Sequence, residues 1–142
     1  MEIYSLENKN IIPTFVKILK LTNMKTQKII YYIATGLFTA LMLFSAGMYF
    51  FKNTDIVKGF TSFGYPTYLI YPLAIVKLLG LIVIWQTKFK TIKEWAYAGF
   101  FFNVVLAFFA HFMIGDGEQG AALIGLILLL TSYYFSKKTG NI

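Results

Sequence analysis

Residues 29–51 read IIYYIATGLFTALMLFSAGMYFF, twenty-three positions without a charge. The hydrocarbon core of a bilayer takes roughly 20 helical residues to cross, so this stretch predicts a transmembrane helix. Two more follow: residues 66–86 are apolar except for Lys77, and residues 94–114 are apolar after Glu94. The fourth stretch, 120–135, reads GAALIGLILLLTSYYF and is short enough to need a thinner local bilayer or polar flanking residues. Any one of these would suit a buried helix of a soluble protein, but four in succession with short links do not. Composition agrees, with 58% apolar, 19% aromatic and only 13% charged residues in a chain of 142 and a mean hydropathy of +0.65. The expected fold is all-α, an integral-membrane four-helix bundle over residues 28–138. A cytoplasmic segment, 1–27, precedes it and a short tail, 139–142, follows.

Charge sets the direction of threading. All thirteen cationic residues are lysine, and short cytoplasmic segments of membrane proteins collect such charge. Lys9, Lys17, Lys20, Lys25 and Lys28 precede the first span, Lys88, Lys90 and Lys93 join the second to the third, and Lys137 and Lys138 follow the fourth. The link at residues 115–119 has no lysine and carries Asp116 and Glu118, while the first outer loop sets Lys52 and Lys58 against Asp55. Both termini are therefore expected inside, in a multi-pass protein of a bacterial cytoplasmic membrane. Tyr31, Tyr32, Trp85, Trp95, Tyr133 and Tyr134 mark the inner interface, and Tyr49, Tyr65 and Tyr68 the outer one. The net charge of +7 reads as topology and attraction to anionic lipid, because no basic stripe interleaves with exposed aromatics as nucleic acid would require. Cysteine is absent, which removes disulfides, thiolate metal sites and dithiol redox chemistry from this chain.

The segment before the first span admits two readings. Ile11, Ile12, Phe15, Val16, Ile18, Leu19 and Leu21 interleave with Lys17 and Lys20, the pattern of a short basic amphipathic helix on the inner surface, with Pro13 in its first turn. Alternatively Met24 is the natural start, since MKTQKIIYYI is an ordinary beginning for an inserted helix. A cleaved signal peptide does not fit, because lysine breaks the apolar run and no small-residue cleavage site follows.

Within the third span Ala96, Gly99, Asn103, Ala107 and Ala110 share a helical face; Gly36, Ala40 and Gly47 do so in the first span and Ala121 with Gly125 in the fourth. Such stripes let helices approach closely. Lys77 is the most informative single residue, because a lysine near mid-bilayer costs about 2.5–3.5 kcal/mol on insertion scales and usually faces the bundle interior. None of the six acids lies at its depth. Helical side chains tilt toward their own N-terminus, so Lys77 leans outward and His111, on the antiparallel third span, leans back toward it. A polar cluster of Lys77, Asn103, His111 and Asp116 is the candidate ligand site. The plainer reading has Lys77 snorkel to the interface while His111 caps a helix end. One histidine cannot supply bis-histidine haem ligation, and no metal-spaced motif, phosphate loop or nucleophile-base pair is present.

Two strings carry a resemblance: GYPTYLIYPLAIVKLLG at 64–80 and KEWAYAGFFFNVVLAFFAHFMIGDGE at 93–118. With the flanking spans, from Lys28 to Lys138, they resemble the DoxX-like family of small bacterial membrane proteins related to DoxX and DoxD. The resemblance implies a four-helix inner-membrane protein and an association with quinol or thiosulfate oxidation and membrane redox complexes. It marks Lys77, Glu94, Trp95, Tyr97, Gly99, His111, Gly115 and Asp116 as positions matching the family pattern, without a role for any of them. The missing cysteines depart from relatives that use thiols.

Two functional classes follow. The favoured one is a non-enzymatic subunit or scaffold that assembles with itself or with a membrane redox partner. The other is an accessory of a respiratory-type oxidoreductase that holds a quinone or lipid in a mostly apolar pocket with a few polar contacts. No cofactor is evident from the residues themselves, and a quinone is the one the second class admits. Four spans without broken midplane helices or a repeat give alternating-access transport little support.

Overall fold

The computed structural model describes the backbone of residues 2–141 and the side chains of residues 12–141. Five helices follow one another: α1 Glu2–Phe51, α2 Asn53–Ser62, α3 Ile70–Trp85, α4 Lys90–Ile114 and α5 Gln119–Lys138, with a 3-10 turn over Thr67–Leu69 leading into α3. No strand occurs among the described residues. Stretches long and apolar enough to cross a membrane lie at Ile12–Phe51, Thr67–Trp85, Lys90–Ile114 and Gln119–Lys138. The chain is an all-α, multi-pass membrane protein. α5 is 20 residues long, so of the two alternatives for 120–135 it is the polar flanking residues, Gln119, Ser136, Lys137 and Lys138, that bring it to spanning length. Its last turn holds because the Lys137 and Lys138 amines lie over the Tyr133 and Tyr134 rings, where cations also suit the negative end of the helix.

The spanning helices alternate in direction, and the contacts α1–α3, α3–α4, α4–α5 and α5–α1 close them into a ring. This gives the bundle a lysine-rich end and an acidic end, the latter carrying Asp55, Asp116 and Glu118. Each helix turns one stripe inward and leaves an apolar exterior, with Phe44, Ile82, Phe102 and Ile127 all largely exposed, as a lipid-facing surface requires. Phe38, Met42, Leu81, Ile84, Phe100, Val104 and Leu129 form the buried centre, where the Phe38 and Phe100 rings meet edge-on at 5.1 Å. Pro72 stands in the first turn of α3, where its missing N–H costs no hydrogen bond.

Three features differ from the sequence expectation. First, α1 is one uninterrupted helix of 50 residues, so no break marks the boundary near residue 28, and Pro13 lies inside the helix and not in a first turn. At about 1.5 Å per residue it is roughly 75 Å long, far more than a bilayer needs. Of the residues in the expected amphipathic pattern Ile11 lies outside the described side chains, as does Lys9 among the inner lysines. Second, the first outer loop is largely helical. Ile56, Phe60 and Phe63 recur at steps of three and four, and burial of this face, with Phe60 packed edge-on against Tyr49 at 5.7 Å, makes α2.

Third, the small-residue stripes do not all mediate close packing. A Cβ added at Gly36, Gly47 or Gly99 would meet nothing within 4 Å, whereas one at Gly125 would touch Leu41 and Val104 at 3.6 and 3.7 Å. The tightest glycine is Gly80, outside those stripes, where a Cβ would stand 2.8 Å from Phe100 Cε2. The Phe100 ring is buried against Phe38 and has little freedom to yield. Gly80→Ala is therefore expected to lower stability by on the order of 1 kcal/mol through overpacking, read as a reduced Tm in detergent. Gly99→Ala serves as the control and is expected to hold or raise the Tm, because the added methyl meets nothing and alanine favours a helix interior by up to about 1 kcal/mol.

Candidate functional site

A cavity of about 540 Å³ lies at the acidic end of the bundle, between α1, α4 and α5 and beneath α2. Lys77, Asn103, His111 and Asp116, proposed from sequence as one cluster, all line it. Most of the remaining wall is apolar: Leu41, Met42 and Met48 from α1, Ile56 and Phe60 from α2 and Phe63 from its cap, Val104 and Ala107 from α4, and Ala122 and Gly125 from α5. One helical turn further toward the lysine-rich end, Phe38, Phe100 and Leu129 fill the bundle centre. The cavity thus has a dry floor.

Lys77 is 5% exposed, and its amine does not run out to the interface. The Nζ donates to Ser45 Oγ at 3.0 Å and lies 4.2 Å from the centre of the Tyr49 ring. Both partners are neutral. Among the described residues the ion pairs are His111–Asp116 at 2.7 Å and Lys137–Glu94 at 2.9 Å, and neither includes Lys77. An ammonium has three protons to donate, so the cavity offers a donor that this arrangement leaves under-used.

At the mouth, His111 Nδ1 and Asp116 Oδ2 share their 2.7 Å contact while Asp116 Oδ1 accepts the Glu118 N–H at 3.0 Å. The Phe63 ring, from the residue that caps the end of α2, stands edge-on to His111 at 5.0 Å. Gly115 makes this hook possible: it ends α4 in the left-handed region at φ 67°, with its N–H bonded to His111 O at 3.0 Å. The Glu118 N–H first, and then His111, hold the Asp116 carboxyl below its ordinary value of 3.8. A carboxyl depressed on folding favours the folded hook at pH above 3.8 and gives up that contribution as pH falls through the lower folded value. Amide protection at Glu118 is accordingly expected to persist at neutral pH and fall in acid below 3.8, and Asp116→Asn to reduce it already at neutral pH.

The other family-pattern positions lie elsewhere. Glu94 pairs with Lys137 and ties the second turn of α4 to the last turn of α5, an exposed contact of small energetic weight. Trp95 is 74% exposed on the outside of the bundle, and Gly99 is also exposed. Tyr97 is buried in a second polar group that sequence reading did not anticipate. Tyr97 Oη lies 2.7 Å from Ser132 Oγ, which lies 2.6 Å from Thr35 Oγ1, which in turn donates to Tyr31 O at 2.7 Å. Each hydroxyl has one proton, so the donors run Tyr97 to Ser132 to Thr35 to the backbone.

Beside this chain Lys93, read from sequence as a loop lysine, is fully buried and donates to Tyr31 Oη at 3.1 Å. Tyr31 then donates to Ile84 O at 3.4 Å, near the C-terminal end of α3 where a cation is favoured. Ser136 Oγ is buried without a hydrogen bond. A signal for this group exists in the sequence: Tyr31 and Thr35, Lys93 and Tyr97, and Ser132 and Ser136 are three polar pairs spaced by four, each on one helical face.

A profile of the DoxX-like family matches residues 33–134, which takes in the cavity, α2 and the buried hydroxyl chain. The chain belongs to the DoxX-like family. Comparison with curated proteins and with solved structures returned no match. Family membership and four apolar helices agree on a small DoxX-like protein of the membrane. The matched region of this DoxX-like protein begins after the lysine-bearing N-terminal half of α1.

Proposed function

We propose that this DoxX-like protein is a non-catalytic binding protein that holds a lipid-soluble molecule in its cavity, a quinone or a lipid with a carbonyl-bearing head. The observation that carries the proposal is the position of the Lys77 amine, a buried donor without an acid, in the wall of a mostly apolar cavity. Pockets for small molecules combine such apolar walls with a few placed polar groups. A carbonyl oxygen accepts from the amine or from the Asn103 amide, and the apolar remainder packs against Met42, Val104 and Phe60. Asp55, Asp116 and Glu118 stand in the same wall, so a free anion from water is a poor candidate. A neutral molecule that partitions into the bilayer suits both ends of the cavity. The lysine distribution supports a cavity on the outer side of a bacterial cytoplasmic membrane, with both termini inside.

Purification of the full chain in mild detergent, followed by mass spectrometry of extracted lipids and quinones, tests the proposal. A stoichiometric species that competes with added short-chain quinone supports it. Only bulk lipid, unaffected by competitor, overturns it.

A second reading, a subunit of a larger membrane or redox complex or of a homo-oligomer, draws on Gly36, Gly47 and Gly99. They offer open backbone to a further helix, whereas the bundle's own close contacts use Gly80 and Gly125.

A further inference from the structure

The N-terminal half of α1 extends beyond the bundle and is divided lengthwise by chemistry. Ile12, Phe15, Val16, Ile18 and Leu19 are each more than half exposed and are left uncovered by the rest of the chain. At 100° per residue they fall within an arc of about 160°. Lys17, Lys20, Lys25 and Lys28, all exposed, occupy the opposite arc, where Leu21 is the one large apolar exception within residues 12–21, and no acid lies between residues 12 and 28. Between this half and the bundle comes a polar collar, in which the Thr22 and Thr26 hydroxyls bond the carbonyls of Ile18 and Thr22 at 3.0 and 3.1 Å. Such back-bonding is where helices commonly bend. The collar also precedes the first buried bundle residue, Tyr31, by about the depth of a headgroup layer.

We propose that residues 12–21 dock on the anionic lipid surface of the leaflet at the lysine-rich end, with the apolar arc in the acyl boundary and the lysines among the headgroups. Charge selects this occupant. An apolar arc alone suits a second copy equally well, but a second copy brings the same excess of lysine, with only Glu2 and Glu7 in its own N-terminal half to answer it. Acidic headgroups answer each lysine, and the bilayer surface is already adjacent where α1 leaves the bundle. The docked segment also removes from water an apolar face that continues the lipid-facing side of α1.

The test uses the absence of native cysteine. Full-length Phe15→Cys and Lys20→Cys are placed in nanodiscs of phosphatidylcholine, with or without phosphatidylglycerol, and treated with a membrane-impermeant thiol reagent. Docking predicts that phosphatidylglycerol slows labelling at position 15 by about tenfold or more, since each lysine near the surface is worth several-fold in affinity, while position 20 stays reactive. Raising the salt concentration restores reactivity at position 15. Equal labelling of both positions in the anionic discs overturns the proposal. So does protection that is independent of lipid charge, in which case disulfide formation between Phe15→Cys chains identifies a second copy as the occupant.

Discussion

Lys77→Met is expected to raise the Tm of the ligand-free protein by several degrees while removing the bound lipid-soluble molecule. Methionine keeps the length and apolar stem of the side chain and deletes a charge whose partners, Ser45 and Tyr49, are both neutral. An intramembrane lysine costs about 2.5–3.5 kcal/mol, and the hydroxyl and ring contacts recover only part of that, so a net gain of about 1–2 kcal/mol is expected. A gain of that size shifts Tm by roughly 2–8 °C in a chain of this length. Binding moves the other way because a thioether donates no hydrogen bond to a carbonyl head. The comparison requires ligand-free protein, since a bound molecule itself stabilises the wild type. If the variant retains its full complement of copurified ligand, Lys77 is not the contact and the binding proposal loses its basis. A fall in Tm would show instead that the amine is well compensated where it stands.

Ser132→Ala is expected to destabilise the bundle by about 1–2 kcal/mol, although it removes one small oxygen atom. That oxygen accepts from Tyr97 and donates to Thr35, and Ser132 is fully buried. Thr35 keeps its own bond to Tyr31 O, so it loses little. Tyr97 loses its one hydrogen bond, to Ser132, and the unpaired Ser136 hydroxyl stands close enough to replace it; leaving a buried hydroxyl unpaired costs about 1–3 kcal/mol, more than the roughly 0.6 kcal/mol average of a hydrogen bond between membrane helices. The double variant Ser132→Ala with Tyr97→Phe deletes both ends of the bond and is expected to recover most of the loss. Thermal unfolding of the four proteins of this cycle measures the coupling, and additive losses would show that the 2.7 Å contact carries no special weight.

The two polar groups differ in how openly the chain announces them. Lys77 is visible in sequence because charge inside an apolar run is rare, and the antiparallel sense of α3 and α4 follows from counting spans. Those two facts are enough to bring Lys77 and His111 into one cavity wall. The chain from Tyr97 to Thr35 announces itself less, because serine and threonine are inexpensive in a membrane helix and can satisfy themselves along their own backbone, while tyrosine reads as an interfacial aromatic. Lys93 is misleading in the same way: its neighbours Lys88 and Lys90 make it read as part of a solvated run. Only the position of Tyr31 on a helix sixty residues away turns it inward.

By itself the sequence determined the number of membrane helices and their alternating direction, because hydrophobic run length and lysine placement are local quantities. Which faces of those helices meet was decided by the tertiary structure. Gly80, and not the Gly36–Gly47 stripe, is the position where added volume would clash, because Phe38 holds the Phe100 ring against it. α2 is a helix over the cavity, and not a loop, because Phe60 and Phe63 find the Tyr49 and His111 rings to pack on. Packing between segments distant in sequence sums many small contacts whose partners the chain does not name, and the fold alone brings them together.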